Sequence, residues 1–132
     1  MEKTENFNVK NLNAAGFVES LFDSNIIILD SSLNIKASFS NEKSDYLKFL
    51  ERHLSTAEAK KGPLITSFLK SRIVINNDTL KNPLILHWKE ELVKRSFLSN
   101  AAVPVVKKGK TIGVLSLYAN EREFFKEILI IY

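Results

Sequence analysis

At 132 residues, 45% of them apolar and 26% charged, the chain has the length and balance of one soluble globular domain able to bury its own core. It has no cysteine, which excludes a disulfide framework, a thiolate metal site and a cysteine nucleophile. The formal net charge of +4 comes from basic residues scattered along the whole sequence, densest at Lys60-Lys61 and at Lys107, Lys108 and Lys110. No basic stripe interleaves with aromatics, so the distribution argues against nucleic acid as a partner.

Met1–Asn6 lacks the apolar core of a secretory signal, and no apolar run approaches the length of a membrane span, so a cytoplasmic location is expected. From Asn6 to about Phe22, the residues Phe7, Leu12, Phe17, Val18, Leu21 and Phe22 form an irregular apolar pattern. It predicts a helix that firms up after Ala14 and is broken by Asp23-Ser24-Asn25. Ile26–Leu29 reads as a strand, Asp30-Ser31-Ser32 as a turn and Ile35–Phe39 as the returning strand. Ser44–Leu54 places Tyr46, Phe49, Leu50 and Leu54 on one helical face. Ser55-Thr56-Ala57-Glu58 matches a capping box and predicts a short helix that stops at Gly62. Pro63 suits the first position of the next helix, whose face carries Leu64, Ile65, Phe68 and Leu69. Ile73-Val74-Ile75 is a predicted strand, left through Asn76-Asn77-Asp78. Beyond Asn82-Pro83, Leu84, Trp88 and Leu92 recur four apart on a helix whose other side pairs Glu90 with Lys94 and Glu91 with Arg95.

Ser99–Ala119 is the most informative stretch. Two apolar strands flank the turn Lys107-Lys108-Gly109-Lys110, which sets them antiparallel. Neither face carries polar residues apart from Ser116 and the Tyr118 hydroxyl, so the hairpin is expected to be covered on both sides, with Pro104 confined to a bulge or strand end. The expected fold class is α+β: an antiparallel sheet of five or six strands with helices on both faces and this hairpin at its centre. The chain closes in a predicted helix, Arg122–Tyr132, whose last residues Ile128-Leu129-Ile130-Ile131 carry none of the usual stop signals. Four large apolar residues in a row cannot all face one core, so an outward ridge beside the N-terminal helix would mark an association surface.

Chemistry-bearing constellations are nearly absent. No G-x-S-x-G, P-loop or G-x-G-x-x-G occurs. The two histidines, His53 and His87, fall on different predicted helices, and the one metal-like spacing, His87 to Glu91, supplies two ligands from a single helix and does not close a site. A haem- or metal-dependent sensor using either histidine stays open as a minor alternative, and the cofactor is undetermined. A non-enzymatic role is expected.

The order of motifs resembles the GAF domain, in the form found next to PAS, diguanylate cyclase, phosphodiesterase and histidine kinase modules. Asn100-Ala101-Ala102-Val103-Pro104-Val105 and Ile112-Gly113-Val114-Leu115-Ser116-Leu117-Tyr118-Ala119 are similar to that family's paired strands. Gly62-Pro63, Arg72, Val74, Asn77-Asp78, Pro83 and Trp88 precede them in the family's order, and Glu121 and Phe124-Phe125 follow. The resemblance is strongest over residues 62–125 of a single 1–132 domain. Before Gly62 it holds in pattern only, and the run from Ile26 to Ile35 also looks like the opening hairpin of the architecturally similar PAS domain.

The resemblance implies a sensory or regulatory input domain that binds a small molecule in a cup between the sheet and the middle helices. The positions it places near that cup are Asn77, Asp78, His87, Trp88, Phe97, Ser99, Ser116 and Tyr118. It also implies a homodimer through the first and last helices, joined to an effector domain, with no membrane insertion. The alternative is a scaffold of the same fold that binds no ligand and serves dimerisation and signal transmission. GAF relatives that attach a bilin or reduce free methionine sulfoxide through cysteine are ruled out as guides to mechanism here, because the chain has none. Leu98, Ser99 and Asn100 stand where the family often has Arg-Ser-Ser, so an anion-holding arginine is missing. The residue series of cyclic-nucleotide binders is broken at Tyr118-Ala119-Asn120-Glu121, which argues against such a nucleotide.

Overall fold

The computed structural model describes residues 21–40, 45–81 and 86–125. Five strands form one sheet: β1 (Leu21–Leu29), β2 (Ile35–Ser40), β3 (Val74–Asn76), β4 (Ser99–Lys107) and β5 (Lys110–Ala119). Their spatial order is β2-β1-β5-β4-β3, and every neighbouring pair is antiparallel. Three helices, α1 (Tyr46–His53), α2 (Pro63–Lys70) and α3 (Leu86–Lys94), complete the described elements together with short 3₁₀ turns at Ala59–Lys61 and Thr79–Lys81.

The Ser99–Ala119 hairpin occupies the interior of the sheet because alternate residues of both strands are apolar on both faces. Ala102, Val114 and Tyr118 join the core under the helices, with Ile27, Leu50, Ile65, Trp88 and Leu92. Ala101, Leu117 and Ala119 join a second core on the opposite face, closed by Phe125. The three described helices all serve the first face. Residues 1–20 and 126–132, which hold most of the two terminal helices expected from the sequence, lie outside the described residues. The tip is a two-residue turn with positive φ at Lys108 (53°) and Gly109 (79°), the primed geometry that matches the twist of a hairpin. Pro104 sits within β4, opposite Val114 and next to a register shift between Val105 and Val106. β3 pairs only from Ala102 to Asn100, so β4 is already an edge strand where the proline lacks its donor.

Several sequence expectations are corrected. Leu21 and Phe22 do not end a helix, and Asp23-Ser24-Asn25 is no break: all lie in β1, which pairs with β5 from Leu21 opposite Ala119 to Ile28 opposite Gly113. Asp23 and Asn25 are 2% and 3% exposed, on the same side of the strand as Ile27 and Leu29. The capping box does not form: the N-cap of the turn is Glu58, with no side-chain cap bond, Thr56 Oγ1 and not Ser55 accepts the Ala59 N–H at 3.2 Å, and only a 3₁₀ turn follows. In α2, Leu69 turns outward at 61% exposure while Ser67 is buried, its hydroxyl donating to the Arg72 carbonyl at 2.8 Å. Arg95 meets Glu91 at 2.8 Å as expected, but Lys94 also turns to Glu91, at 3.4 Å, and not to Glu90. Asn82, Pro83 and Leu84 lie outside the described residues. No described helix is long and apolar enough to cross a membrane.

Candidate functional site

Where the helices cover the sheet they leave a cavity of about 40 Å³. Leu50, Leu54, Leu64 and Leu92 give it an apolar roof, and the sheet contributes Asn100, Ala102, Ser116 and Tyr118. The ladder explains this polar floor. Asn100 lies opposite Tyr118 and Ala102 opposite Ser116 across β4 and β5, while β1 brings Asn25 opposite Ser116 and Asp23 opposite Tyr118. Period-two alternation therefore gathers the polar residues of three strands on one buried face. Ser116 Oγ and Asn25 Oδ1 are buried without a hydrogen-bond partner. Buried polar groups without a partner are uncommon in folded proteins.

Tyr46 and Trp88 form one wall. The indole Nε1–H of Trp88 donates to the Tyr46 hydroxyl at 2.6 Å, and the Trp88 backbone N–H donates to the Glu58 carboxylate at 2.7 Å. The Tyr46 ring meets Tyr118 and Phe97 edge-on at 5.1 and 5.4 Å, and Phe97 stacks on Tyr118 at 4.8 Å. Arg95 caps the cluster from outside, its guanidinium 5.5 Å from the Tyr46 ring centre and bonded to Asp45 and Glu91 at 2.8 Å each. The bond from Arg95 holds the Asp45 carboxyl below its ordinary range. On the far side of Trp88 an open groove of about 630 Å³ runs between α1 and α3, floored by Phe49 and edged by Lys48, Arg52 and His53. Trp88 lines both spaces and so separates the cavity from the groove.

Burial pushes the Tyr118 phenol up to about 12; Ser116 and Asn25 stand near enough to moderate the rise without reaching hydrogen-bond geometry. Burial also raises Tyr46 well above its ordinary value. Both phenols therefore stay protonated in the fold at a pH where an unfolded chain ionises them, so stability is complete below about pH 10 and falls as pH rises through the folded values. For Tyr118 alone the loss is about 1.4 kcal/mol per pH unit between about pH 10 and 12. In an alkaline titration the phenolate absorbance of these two of the chain's three tyrosines is expected to rise late and together with unfolding. A normal titration of both residues in the folded state would contradict the burial.

Of the residues singled out from the sequence, Trp88, Ser116 and Tyr118 line the cavity. Phe97 is buried behind Tyr118 and does not line it. Ser99 points to the other face, because odd-numbered residues of β4 do, and its hydroxyl donates to the Glu121 carbonyl at 2.7 Å. Asn77 is exposed and its carbonyl accepts the Glu123 N–H at 2.7 Å. Asp78 organises its own loop, accepting the Leu80 N–H at 3.1 Å, with Arg122 at 3.8 Å. His87 falls within α3, and its side chain is outside the described ones. Sequence reasoning missed Tyr46, Asn100 and Asn25. Counting back from the Lys108-Gly109 turn would have set Asn100 opposite Leu117; only the register shift near Val105, which is invisible in the sequence, moves it opposite Tyr118. Among the described residues no group of three or more acidic or histidine side chains could hold a metal ion.

The model of the GAF domain family matches residues 13–130. No curated protein matches the chain. Among solved structures, a GAF domain/HD domain protein from Geobacter sulfurreducens superposes with a TM-score of 0.60 at 15% identity, over 98% of this chain and 82% of that one. A type II free methionine-R-sulfoxide reductase from Thermoplasma acidophilum gives 0.58 at 22% identity, over 96% and 84%. The NreA protein of Staphylococcus aureus, mutated in its nitrate-binding site, gives 0.53 at 16%, over 92% and 88%. At these identities the structures speak for the fold alone. The family match runs over nearly the whole sequence, and the chain belongs to the GAF domain family, typical of the sensory and regulatory parts of signalling proteins.

Proposed function

We propose that this domain is the sensory input module of a cytoplasmic signalling protein, that it takes a small molecule into the cup, and that it relays occupancy through its terminal segments to an effector domain. The observation that carries this reading is the unpartnered hydroxyl of Ser116, 2% exposed and lining the cavity between the helices and the sheet. Homodimerisation through the two ends of the chain belongs to the same reading and rests on the apolar run Ile128–Ile131. Sedimentation equilibrium at micromolar concentration is expected to give a dimer that Ile130→Glu dissociates, and a monomer indifferent to that substitution removes this part. The sulfoxide reductase likeness does not transfer as thiol chemistry, because the chain has no cysteine.

A second reading has its own support. A volume of about 40 Å³ holds only about three water molecules, which favours a scaffold that dimerises and transmits without a ligand. A thermal-shift screen of small molecules decides between them. A compound present at about a hundred times its dissociation constant stabilises by about 2.7 kcal/mol, and the gain is expected to shrink in Ser116→Ala. If no compound stabilises the wild-type chain, the scaffold reading stands.

A further inference from the structure

The cavity is uncharged. None of its lining residues is Lys, Arg, His, Asp or Glu. The cation of the aromatic wall, Arg95, lies behind the Tyr46 ring and is already bonded to two carboxylates. An anion would have to shed its water with no compensating charge in the wall. A cation would find no carboxylate in the wall either. The polarity that does exist is neutral, and the polar groups of Tyr46 and Trp88 on the helix side are already bonded to each other. On the sheet side Ser116 offers a hydroxyl able both to donate and to accept. Leu50, Leu54 and Leu92 face this strip from the helices. The volume of about 40 Å³ limits an occupant to roughly three or four non-hydrogen atoms.

Resting on the sensory reading above, we infer that the cup selects a small neutral molecule with one hydrogen-bonding end and one apolar end, of the alcohol or simple amide class. Its hydroxyl or N–H end engages Ser116 and its carbon end packs on Leu50, Leu54 and Leu92. Ions of similar size are rejected on desolvation, not on shape.

The test is a titration of the full ¹⁵N-labelled chain with acetamide, 2-propanol, nitrate and methylammonium at matched ionic strength, following the backbone amides of Asn100, Ala102, Ser116 and Tyr118. Saturable shifts confined to the cup are expected for at least one of the two neutral probes and for neither ion. Ser116→Ala, checked for retained spectral dispersion, is expected to weaken that binding about five- to tenfold, the value of one hydrogen bond. Ala102→Val, which narrows the cavity opposite Ser116, is expected to abolish it. Saturable cup shifts with nitrate or methylammonium overturn the ligand class and leave the sensory reading in place. No saturable shift with any of the four also overturns the class, and the thermal-shift screen then shows separately whether the sensory reading falls with it. Binding unchanged in both variants overturns the assignment to this cavity.

Discussion

Replacing Gly113 by alanine is expected to destabilise the domain by about 3 kcal/mol or more, the upper end of what overpacking a tight site costs. Gly113 lies in β5 opposite Ile28 of β1 and Val105 of β4, so strands press on it from both sides. A methyl group there would run into the carbonyl oxygen of Ile27, closer than Cβ atoms come in folded proteins, and would stand 2.8 Å from Ile28 Cδ1. The side chain could move, but the carbonyl belongs to the ladder that joins the two halves of the sheet. Relief would require β1 to draw away from β5 and break that pairing. The glycine's role here is close approach of two backbones, and its absent side chain is what permits it. Urea denaturation of Gly113→Ala against wild type measures the effect, and a loss below about 1 kcal/mol would show that the strands can part at little cost. At Gly109, by contrast, a methyl group would meet nothing within 4 Å, and substitution there is opposed by the φ of 79° alone.

Trp88→Ala is expected to cost about 3–5 kcal/mol, since the ring is 9% exposed and anchored at both its backbone and its indole nitrogen. Tyr46→Phe isolates one part of that loss. It keeps the aromatic packing on Phe97 and Tyr118 and removes the acceptor of the indole N–H, leaving a buried donor unpaired at a cost of about 1–3 kcal/mol. Combining Tyr46→Phe with Trp88→Phe removes both partners, and the double variant is expected to lose less than the sum of the two single ones. Full additivity in denaturant midpoints would mean that the 2.6 Å contact contributes nothing to stability.

The central hairpin was legible because its two apolar faces leave no other arrangement than burial on both sides. The same logic failed at the start of β1. Asp23 and Asn25 read as a break because polar residues in a short apolar strand normally face water, and only the ladder with β5 shows them turned inward toward the cup. The site divided along the same line. Trp88, Ser116 and Tyr118 could be found as exceptions in apolar surroundings, and the structure places them at the cavity. Asn77, Asp78 and Ser99 are equally polar, but their hydrogen bonds serve the loop and the segment after β5, a local use that spacing cannot distinguish from ligand contact. Tyr46 escaped notice because one face of its ring is ordinary helix packing, and its hydroxyl matters only through a partner 42 residues away.

Trp88 is the chain's single tryptophan. A wall residue that is also the sole indole makes the domain its own optical probe. Its emission reports one position, the wall shared by the cavity and the open groove, with no other tryptophan to dilute the signal. Filling the cup, loosening the bond to Tyr46 or swinging the ring toward the groove would each change the polarity around that one fluorophore. Occupancy can therefore be followed without label or tag, whatever the chemical identity of the occupant.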